Sequence, residues 1–466
     1  MQITFRGACR TVTGSSHEIQ HAGKRILLDC GLFQGRRSEA NEKNRWFGVS
    51  PKEVDAVVLS HAHIDHSGKL PKLVQGGFRG PIYTTPATVD LCKAMLADSA
   101  FIQEKDAEFL NRRTSRKRRL QPDCPDCEVE PLYTMVDATA TFPLFRSTGL
   151  NERTGVVGDL HYTAYEAGHM LGSSFVLVEG GSTRLLFSGD IGRKNLPIIR
   201  DPAPPPPAEY LIMESTYGDR LHQPMEHAQF KLAEIINRTA QRGGKIIAPA
   251  FAVGRTQQLV MMINQLMRER KIPELPIFVD SPLAVNVTDV FRAHTECYDA
   301  ETAKFMADHD DPFGFHRLRY IRDVEESKAL NSLRMPCLIL SASGMAEAGR
   351  VVHHLSNSVG DPRNTVLITG FQAANSLGRK LLDGQKEVNI LGEPHRVRAE
   401  VYKLNELSGH ADQRELLEWM EPIAKGLKHV FLVHGEPLQQ ETLATMIRSM
   451  YNVPVTIPET GDVFPC

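Results

Sequence analysis

The stretch HAHIDH, residues 61–66, constrains this chain more than any other feature of its sequence. It directly follows the apolar residues 57–59 and Ser60, so we expect it just beyond the end of a buried strand. Its three imidazoles and one carboxylate are groups that bind zinc and similar divalent cations. If these side chains did not bind metal, they would be polar groups buried in apolar surroundings without compensation. The stretch therefore predicts a metal site at a strand end.

Length and composition narrow the class of protein. A chain of 466 residues predicts two domains, because a single core usually stops growing at about 250–300 residues. Lys and Arg number 54 against 56 Asp and Glu, so total charge neither predicts nor excludes an anionic partner. Eight scattered cysteines are too sparse for a disulfide-rich secreted domain. With no signal-like N-terminus and no apolar run of about 18 residues, we expect a cytoplasmic protein without a membrane partner.

The order of predicted elements indicates a mixed α/β protein. Residues 2–30 alternate short β-rich runs with glycine-bearing turns, which is typical of a β-meander, and strands alternate with helices from Pro51 onward. The tract DPAPPPPAEY, residues 201–210, indicates a linker because consecutive prolines stiffen the chain. Beyond it, segments repeat a buried strand, a small-residue turn and a helix, which predicts a second α/β domain with a largely parallel sheet.

Four other predicted strands also end in a potential ligand or acid: His169, Asp190, Glu214 and His434. Functional groups gather at the carboxyl ends of strands in α/β folds, so these side chains could converge with HAHIDH. Without Glu214, the five imidazoles and two carboxylates exceed one tetrahedral site, whereas two metals sharing a carboxylate would use all of them. Taken alone, His169 or Asp190 is equally well explained as a hydrogen-bonded side chain or a helix cap.

HAHIDH resembles the HxHxDH signature of the metallo-β-lactamase superfamily, matched by His61, His63, Asp65 and His66. Three further segments, LIMESTYGDR, ELSGHADQREL and VFLVHGE, resemble motifs A, B and C of the β-CASP nucleases, matched by Glu214, His410 and His434. That group includes the cleavage subunit of the eukaryotic pre-mRNA 3′-end machinery and its bacterial and archaeal relatives. The resemblance covers nearly the whole chain and implies an α/β fold. It implies a metallo-β-lactamase αββα sandwich from residues 1–209 and 399–466, with a β-CASP domain, 210–398, inserted between them.

The resemblance also implies two zinc ions per subunit. One set of ligands would be His61, His63 and His169, the other Asp65, His66 and His434, with Asp190 bridging the two. Asp29 matches the family's first motif, which supports the site by hydrogen bonding, although an ordinary turn residue explains it equally well from sequence alone. His410, oriented by Glu214, would be the general acid, and Asp65 belongs to the implied catalytic set.

The resemblance implies zinc-dependent hydrolysis of single-stranded RNA in RNA maturation or decay. Two cations about 3.5–4 Å apart can bring the pKa of bound water to about 7 and stabilise charge on phosphate oxygens, so we expect attack by metal-bound hydroxide. A histidine beside a carboxylate can be held charged, so that it can protonate the departing sugar oxygen. His410 is our predicted acid.

Several alternatives stay open. The chain could act on DNA, hydrolyse a small ester or thioester, or be a non-catalytic RNA-binding paralogue. The inserted domain and the motifs at His410 and His434 disfavour a small substrate, and a non-catalytic paralogue would have lost ligands that this chain keeps. Endonuclease and 5′-exonuclease modes, a homodimer and an RNA-processing complex all remain compatible with the sequence.

Three other features have weaker functional interpretations. In SASGMAEAGR, a turn between a predicted strand and helix, Ser343, Gly344 and Arg350 are predicted phosphate contacts, although close packing also explains such glycines. The basic run RRTSRKRR, residues 112–119, could attract RNA or be a solvated surface. Cys124 and Cys127 form a CPDC pair, but a structural zinc normally needs four ligands and no second pair stands nearby.

Overall fold

The computed structural model describes residues 1–35, 37–118, 129–309, 311–370, 372 and 375–466. Cys124, Cys127 and the last residue of the basic run lie outside these ranges. The strands are β1 (Gln2–Phe5), β2 (His17–His21), β3 (Lys24–Leu28), β4 (Ala56–Val58), β5 (Ile82–Thr84), β6 (Phe145–Ser147), β7 (Arg153–Val157), β8 (Leu160–Glu166), β9 (Ser174–Gly180), β10 (Thr183–Phe187), β11 (Tyr210–Glu214), β12 (Lys245–Pro249), β13 (Ile277–Val279), β14 (Leu318–Tyr320), β15 (Cys337–Ser341), β16 (Thr365–Ile368), β17 (Glu387–Ile390), β18 (Glu393–Arg396), β19 (Glu400–Lys403), β20 (His429–Val433), β21 (Val455–Thr456) and β22 (Val463–Pro465).

The helices are α1 (Arg37–Arg45), α2 (Ile64–Ser67), α3 (Leu70–Gln75), α4 (Pro86–Arg118), α5 (Met135–Thr141), α6 (Glu226–Gln241), α7 (Arg255–Arg268), α8 (Pro282–Ala293), α9 (Ala300–His309), α10 (Val324–Ser332), α11 (Arg350–Ser358), α12 (Leu377–Leu382), α13 (Gln413–Ala424) and α14 (Pro437–Tyr451). Short 3₁₀ turns cover Pro51–Glu53, Phe142–Leu144, Thr295–Cys297 and Asn405–Leu407. Helix α4 thus continues through most of the basic run. Within the described ranges, no helix is both long enough and apolar enough to cross a membrane.

The chain folds into two compact units. The first comprises Met1–Gly192, Pro202–Leu221 and His410–Cys466, and the second comprises Arg193–Asp201 and His222–Gly409. The domain bounds expected from the sequence, 1–209, 210–398 and 399–466, stay a prediction beside these units. Strand β11 pairs in parallel with β10 and β20 and so completes a sheet of the first unit, while β19 pairs with β16 in the second. The proline tract leads directly into β11.

The first unit is built on two seven-stranded sheets, ordered β22-β1-β2-β3-β4-β5-β6 and β21-β20-β11-β10-β9-β8-β7. One apolar core combines Phe5 and Ile26 of the first sheet with Val176 and Phe431 of the second, so the two sheets pack face to face. Helices α13 and α14 pack through apolar residues on the other face of the second sheet. Helix α4 contacts β6 of the first sheet and packs with α2 and α5. This is the expected αββα sandwich, and the predicted meander of β1, β2 and β3 is confirmed.

The second unit is an α/β domain with a six-stranded, entirely parallel sheet ordered β14-β13-β15-β12-β16-β19. Its central strand β15 is buried at every position, as expected for a parallel strand covered by helices on both faces. The predicted parallel sheet is therefore confirmed. The hairpin of β17 and β18 forms a separate two-stranded sheet in this unit.

Candidate metal centre and active site

The HAHIDH stretch follows β4 and enters the short helix α2, which begins at Ile64. The hydroxyl of Ser67 lies 2.8 Å from the backbone oxygen of Ala62, the nearer acceptor, and 3.1 Å from that of His63, which holds the turn closed. The side chains of the stretch are thereby presented at the carboxyl end of the parallel strands β3, β4 and β5. This is the edge at which α/β folds carry their functional groups.

A first group of ligand atoms gathers around His63. Its Nδ1 lies 3.2 Å from Nε2 of His61 and 3.1 Å from Nε2 of His169. Oδ2 of Asp190 lies 3.4 Å from Nε2 of His61 and 3.5 Å from Nε2 of His169. These four side chains can offer one ligand atom each within 4.8 Å of one another.

A second group lies on the other side of Asp190. Nε2 of His66 lies 3.3 Å from Nε2 of His434, which is 3.4 Å from Oδ2 of Asp65. Oδ2 of Asp190 is 3.3 Å from Nε2 of His66, so one carboxylate oxygen adjoins both groups. The seven residues that the sequence suggested as ligands are thus brought together by the fold.

Backbone geometry supports the close approach of these loops. Gly192 follows Asp190 closely, and a Cβ atom at Gly192 would lie 1.7 Å from the backbone oxygen of Gly168, next to His169. The N–H of Gly192 instead donates to the oxygen of Ala167 at 2.8 Å. Only glycine allows this approach, because any side chain would collide with backbone. His434 adopts a positive φ of 50°, a strained conformation that non-glycine residues retain mainly at functional sites.

Burial favours neutral imidazoles at most positions of the cluster. It lowers the pKa of His61 and His169 and lowers the pKa of His63 to about 3. His66 differs, because the charges of Asp190 and Asp29 outweigh burial and raise its pKa well above the ordinary value. Imidazoles bind metal in their neutral form. At His66, a bound cation would supply the positive charge that Asp190 and Asp29 otherwise favour on the imidazole.

The residues present fit divalent cations. Asp190 is buried, and its Oδ1 accepts no hydrogen bond from any described residue. Burial would raise the pKa of Asp190, but the neighbouring imidazoles hold it well below its ordinary value, so the carboxylate is charged. A buried carboxylate with an unsatisfied oxygen is costly unless a cation compensates it. Imidazole and carboxylate donors together suit zinc or another borderline ion.

Oxygen atoms behind the cluster orient its imidazoles. Nδ1 of His66 lies 2.6 Å from Oδ2 of Asp29, and Nδ1 of His61 lies 3.0 Å from the hydroxyl of Ser60. Asp29 also accepts hydrogen bonds from the N–H and hydroxyl of Ser60 and from the hydroxyl of Ser15. Such outer partners fix which ring nitrogen faces a metal. The supporting role implied for Asp29 is therefore present in the structure.

His410 and Glu214 lie beside this cluster. Nδ1 of His410 is 3.1 Å from Oε2 of Glu214, whose Oε1 accepts the N–H of Ile191 at 2.6 Å. His410 forms an isolated antiparallel β-bridge with Gly192. Helix α13 follows, with a capping box that starts at Asp412. The bridge and the helix cap together hold the backbone around His410 in place. Burial would lower the pKa of His410, but the charges of Glu214 and Asp190 raise it to about 9. The pair is therefore arranged to keep a proton on His410.

Three family models match the chain. The model described as "Metallo-beta-lactamase superfamily" matches residues 10–224, the "Beta-Casp domain" model matches 256–381, and the "Zn-dependent metallo-hydrolase RNA specificity domain" model matches 394–458. Ribonuclease TTHA0252 of Thermus thermophilus is 36% identical over 465 residues, which is 100% of both chains. The chain belongs to the β-CASP branch of the metallo-β-lactamase superfamily. The resemblance drawn from its motifs is confirmed, and the fold implies binding of divalent metal.

Other relatives of this β-CASP protein come from archaea. An RNase J-like protein of Methanocaldococcus jannaschii is 30% identical over 469 residues, 99% of each chain. A transcription termination factor FttA of Thermococcus kodakarensis is 31% identical over 484 residues, 99% of this chain and 71% of that one. A crystal structure of a protein of unknown function from Enterococcus faecalis V583 covers 99% of both chains with a TM-score of 0.56 at 15% identity, a likeness of fold alone.

The three residues predicted to contact phosphate, Ser343, Gly344 and Arg350, each contact other residues of the second unit. Gly344 is buried beside the ring of Phe251, which a Cβ at Gly344 would approach to 2.8 Å. The guanidinium of Arg350 donates to Oδ1 of Asp280 at 2.7 Å and to the backbone oxygens of Ile321 and Arg322. The hydroxyl of Ser343 contacts the oxygen of Ala348 at 3.3 Å. Arg350 therefore anchors its own domain, and a phosphate contact there stays a prediction.

Sequence reasoning missed the hydroxyl groups that support the β-CASP site. Ser60 directly precedes HAHIDH and contacts both His61 and Asp29. Thr216, two residues after Glu214, contacts Glu214 and His434. Their closeness in sequence to the ligands was a usable signal, because a hydroxyl beside a strand-end ligand can orient it.

Proposed function

We propose that this protein is a metal-dependent ribonuclease that uses two zinc ions to hydrolyse single-stranded RNA in cytoplasmic RNA maturation or decay. The observation that carries the proposal is the position of Asp190, whose Oδ2 lies 3.4 Å from His61 and 3.3 Å from His66. A carboxylate shared by two imidazole groups is the donor arrangement expected for a two-metal phosphodiesterase. The ribonuclease named among the relatives supports RNA as the substrate.

The proposed ligands would form two sets, with Asp190 in both. One ion would be held by His61, His63, His169 and Asp190, the other by Asp65, His66, His434 and Asp190. When bound, the ions supply an acidified water as nucleophile and positive charge for the phosphate oxygens. The side chain of Asp65 is 22% exposed and that of Asp190 only 2%, so Asp65 is the better placed to accept a proton from the attacking water.

His410 completes the proposed reaction by protonating the departing sugar oxygen. Glu214 and Asp190 hold the proton on His410, whose side chain is 21% exposed and therefore accessible to a substrate. A positioned general acid typically contributes about 10²- to 10⁴-fold to the rate. Glu214 is itself fully buried, so it orients His410 without reaching the substrate.

The experiment that tests the proposal incubates purified protein of measured zinc content with end-labelled single-stranded RNA and DNA of the same sequence, and separately with a thioester. We expect cleavage of RNA, and loss of cleavage in the double variant Asp65→Ala, His66→Ala. Equal cleavage of DNA would replace ribonuclease with general nuclease. Hydrolysis of the thioester alone would indicate a small-molecule hydrolase, and no cleavage by the zinc-loaded protein would favour a non-catalytic paralogue.

A further inference from the structure

Thr216 connects the metal cluster with the His410–Glu214 pair. Its hydroxyl oxygen lies 2.6 Å from Oε2 of Glu214 and 3.1 Å from Nδ1 of His434. The backbone oxygen of His434 is also 3.1 Å away. Parallel pairing of β11 with β20 places Glu214 opposite Val433, which brings this hydroxyl beside His434.

The distances assign a direction to each hydrogen bond. A hydroxyl carries one proton and can also accept, so Thr216 can donate to only one of its oxygen neighbours. Glu214 is the nearest, and bonds to a carboxylate are shorter and stronger than bonds to a neutral carbonyl. Thr216 therefore donates to Glu214 and accepts the N–H at Nδ1 of His434. The other oxygen near that nitrogen, Oδ1 of Asp190, lies farther away at 3.4 Å.

This direction fixes the ring of His434. With its proton on Nδ1, a neutral imidazole keeps the lone pair on Nε2. That atom faces Oδ2 of Asp65 and Nε2 of His66. Ser60 and Asp29 occupy the equivalent place behind His61 and His66, so each of the three imidazoles has an oxygen partner at Nδ1.

We propose that Thr216 is a positioning residue that holds His434 in the tautomer that binds metal through Nε2. The same hydroxyl restrains Glu214, and so couples the geometry of one metal position to that of His410. The inference rests on the metal centre put forward under Proposed function. The residue at position 216 must accept one hydrogen bond and donate another through the same atom. Valine has the shape of threonine but can do neither.

The test is a titration of the chelator-stripped protein with zinc in competition with a metal indicator. The variants are Thr216→Val and Thr216→Ala, which lack the hydroxyl, and Thr216→Ser, which keeps it. Thr154→Val is the matched control, since the Oγ1 of Thr154 in β7 is buried without a hydrogen-bond partner in the described part of the chain. Thermal unfolding of each stripped variant shows whether it is folded.

We expect the two variants without the hydroxyl to bind one of two zinc ions about 10- to 100-fold more weakly, with the other ion unaffected. Thr216→Ser and Thr154→Val should bind both ions as the unaltered protein does. Unchanged binding by a folded Thr216→Val or Thr216→Ala variant would overturn the proposal. Equal weakening in Thr216→Ser would also overturn it, because the hydroxyl would not be the cause. No RNA enters the titration, so this outcome is separate from that of the ribonuclease proposal.

Discussion

Oδ2 of Asp29 lies 2.6 Å from Nδ1 of His66, and both side chains are buried. Asp29 has a positive φ of 61°, and its carboxylate also accepts hydrogen bonds from Ser15 and Ser60. A strained backbone and a buried charge are both costly, so their combination at one residue indicates a specific role. That role is to hold the ring of His66 with Nε2 toward Asp190.

Replacing Asp29 with Asn should weaken zinc binding at the position of His66 by about 10- to 100-fold, because the charge that holds the imidazole is lost. Competition with a metal indicator measures this change. Asp159→Asn, at a side chain that is 55% exposed, is the control and should have no effect. Zinc binding by Asp29→Asn equal to that of the unaltered protein would show that Asp29 serves the fold alone.

Replacing His410 with Ala should lower kcat by about 10²- to 10⁴-fold while zinc content stays unchanged, because the proton donor is lost and the ligands remain. Initial rates on labelled RNA and metal analysis of the same preparation give the two values. His161→Ala, a half-buried histidine on β8, should retain full activity. A parallel loss of zinc would instead make His410 a metal ligand.

His17 should make the stability of the protein depend on pH. It is fully buried between Phe5 and Phe187, and neither of its nitrogens has a hydrogen-bond partner among the described residues. Burial lowers the pKa of His17 to about 3. Between that value and the ordinary pKa of about 6.5, the unfolded chain binds the extra proton, so this contribution to stability falls as pH falls through this window.

The variant His17→Leu removes that proton uptake. Its free energy of unfolding should decline less steeply between pH 6.5 and 3, by up to about 1.4 kcal/mol per pH unit relative to the unaltered protein. Urea denaturation at a series of pH values measures both curves. Curves that run parallel would mean that folding does not lower the pKa of His17.

Asp280 should be essential to the stability of the second unit. Its buried carboxylate accepts hydrogen bonds from Ser327 at 2.5 Å, Arg350 at 2.7 Å and Nε2 of His354 at 2.6 Å. Replacing Asp280 with Ala leaves these partners without their shared acceptor and should cost about 3–5 kcal/mol. Denaturant unfolding measures the loss.

The control for Asp280 is the exposed pair of Lys328 and Glu325 on α10. Removing Glu325 by substitution with Ala should change the free energy of unfolding by less than about 1 kcal/mol, because solvent screens surface charges. A similar small effect for Asp280→Ala would show that its three hydrogen bonds contribute little net stability.

Much of the first unit follows from local sequence. The apolar run before HAHIDH predicts a strand with a cluster of ligands at its end, and Glu214 is likewise the last residue of a strand. These predictions succeed because strand periodicity and residue type are properties of short segments. The sheet to which β11 belongs does not follow from local sequence, because β11 joins it by pairing with β10 and with the distant strand β20.

By itself the sequence determined which residue types stand at strand ends, and through them the family and the nature of the ligands. Only the tertiary structure decided that Thr216 contacts His434, that Asp29 contacts His66 and that Arg350 is held by Asp280. Each of these contacts joins residues separated by tens to hundreds of positions in the chain. The alignment of strands and the closing of loops around a core determine which residues form such pairs. Whether a pair is hydrogen-bonded then depends on differences of a few tenths of an ångström in distance, which residue patterns do not encode.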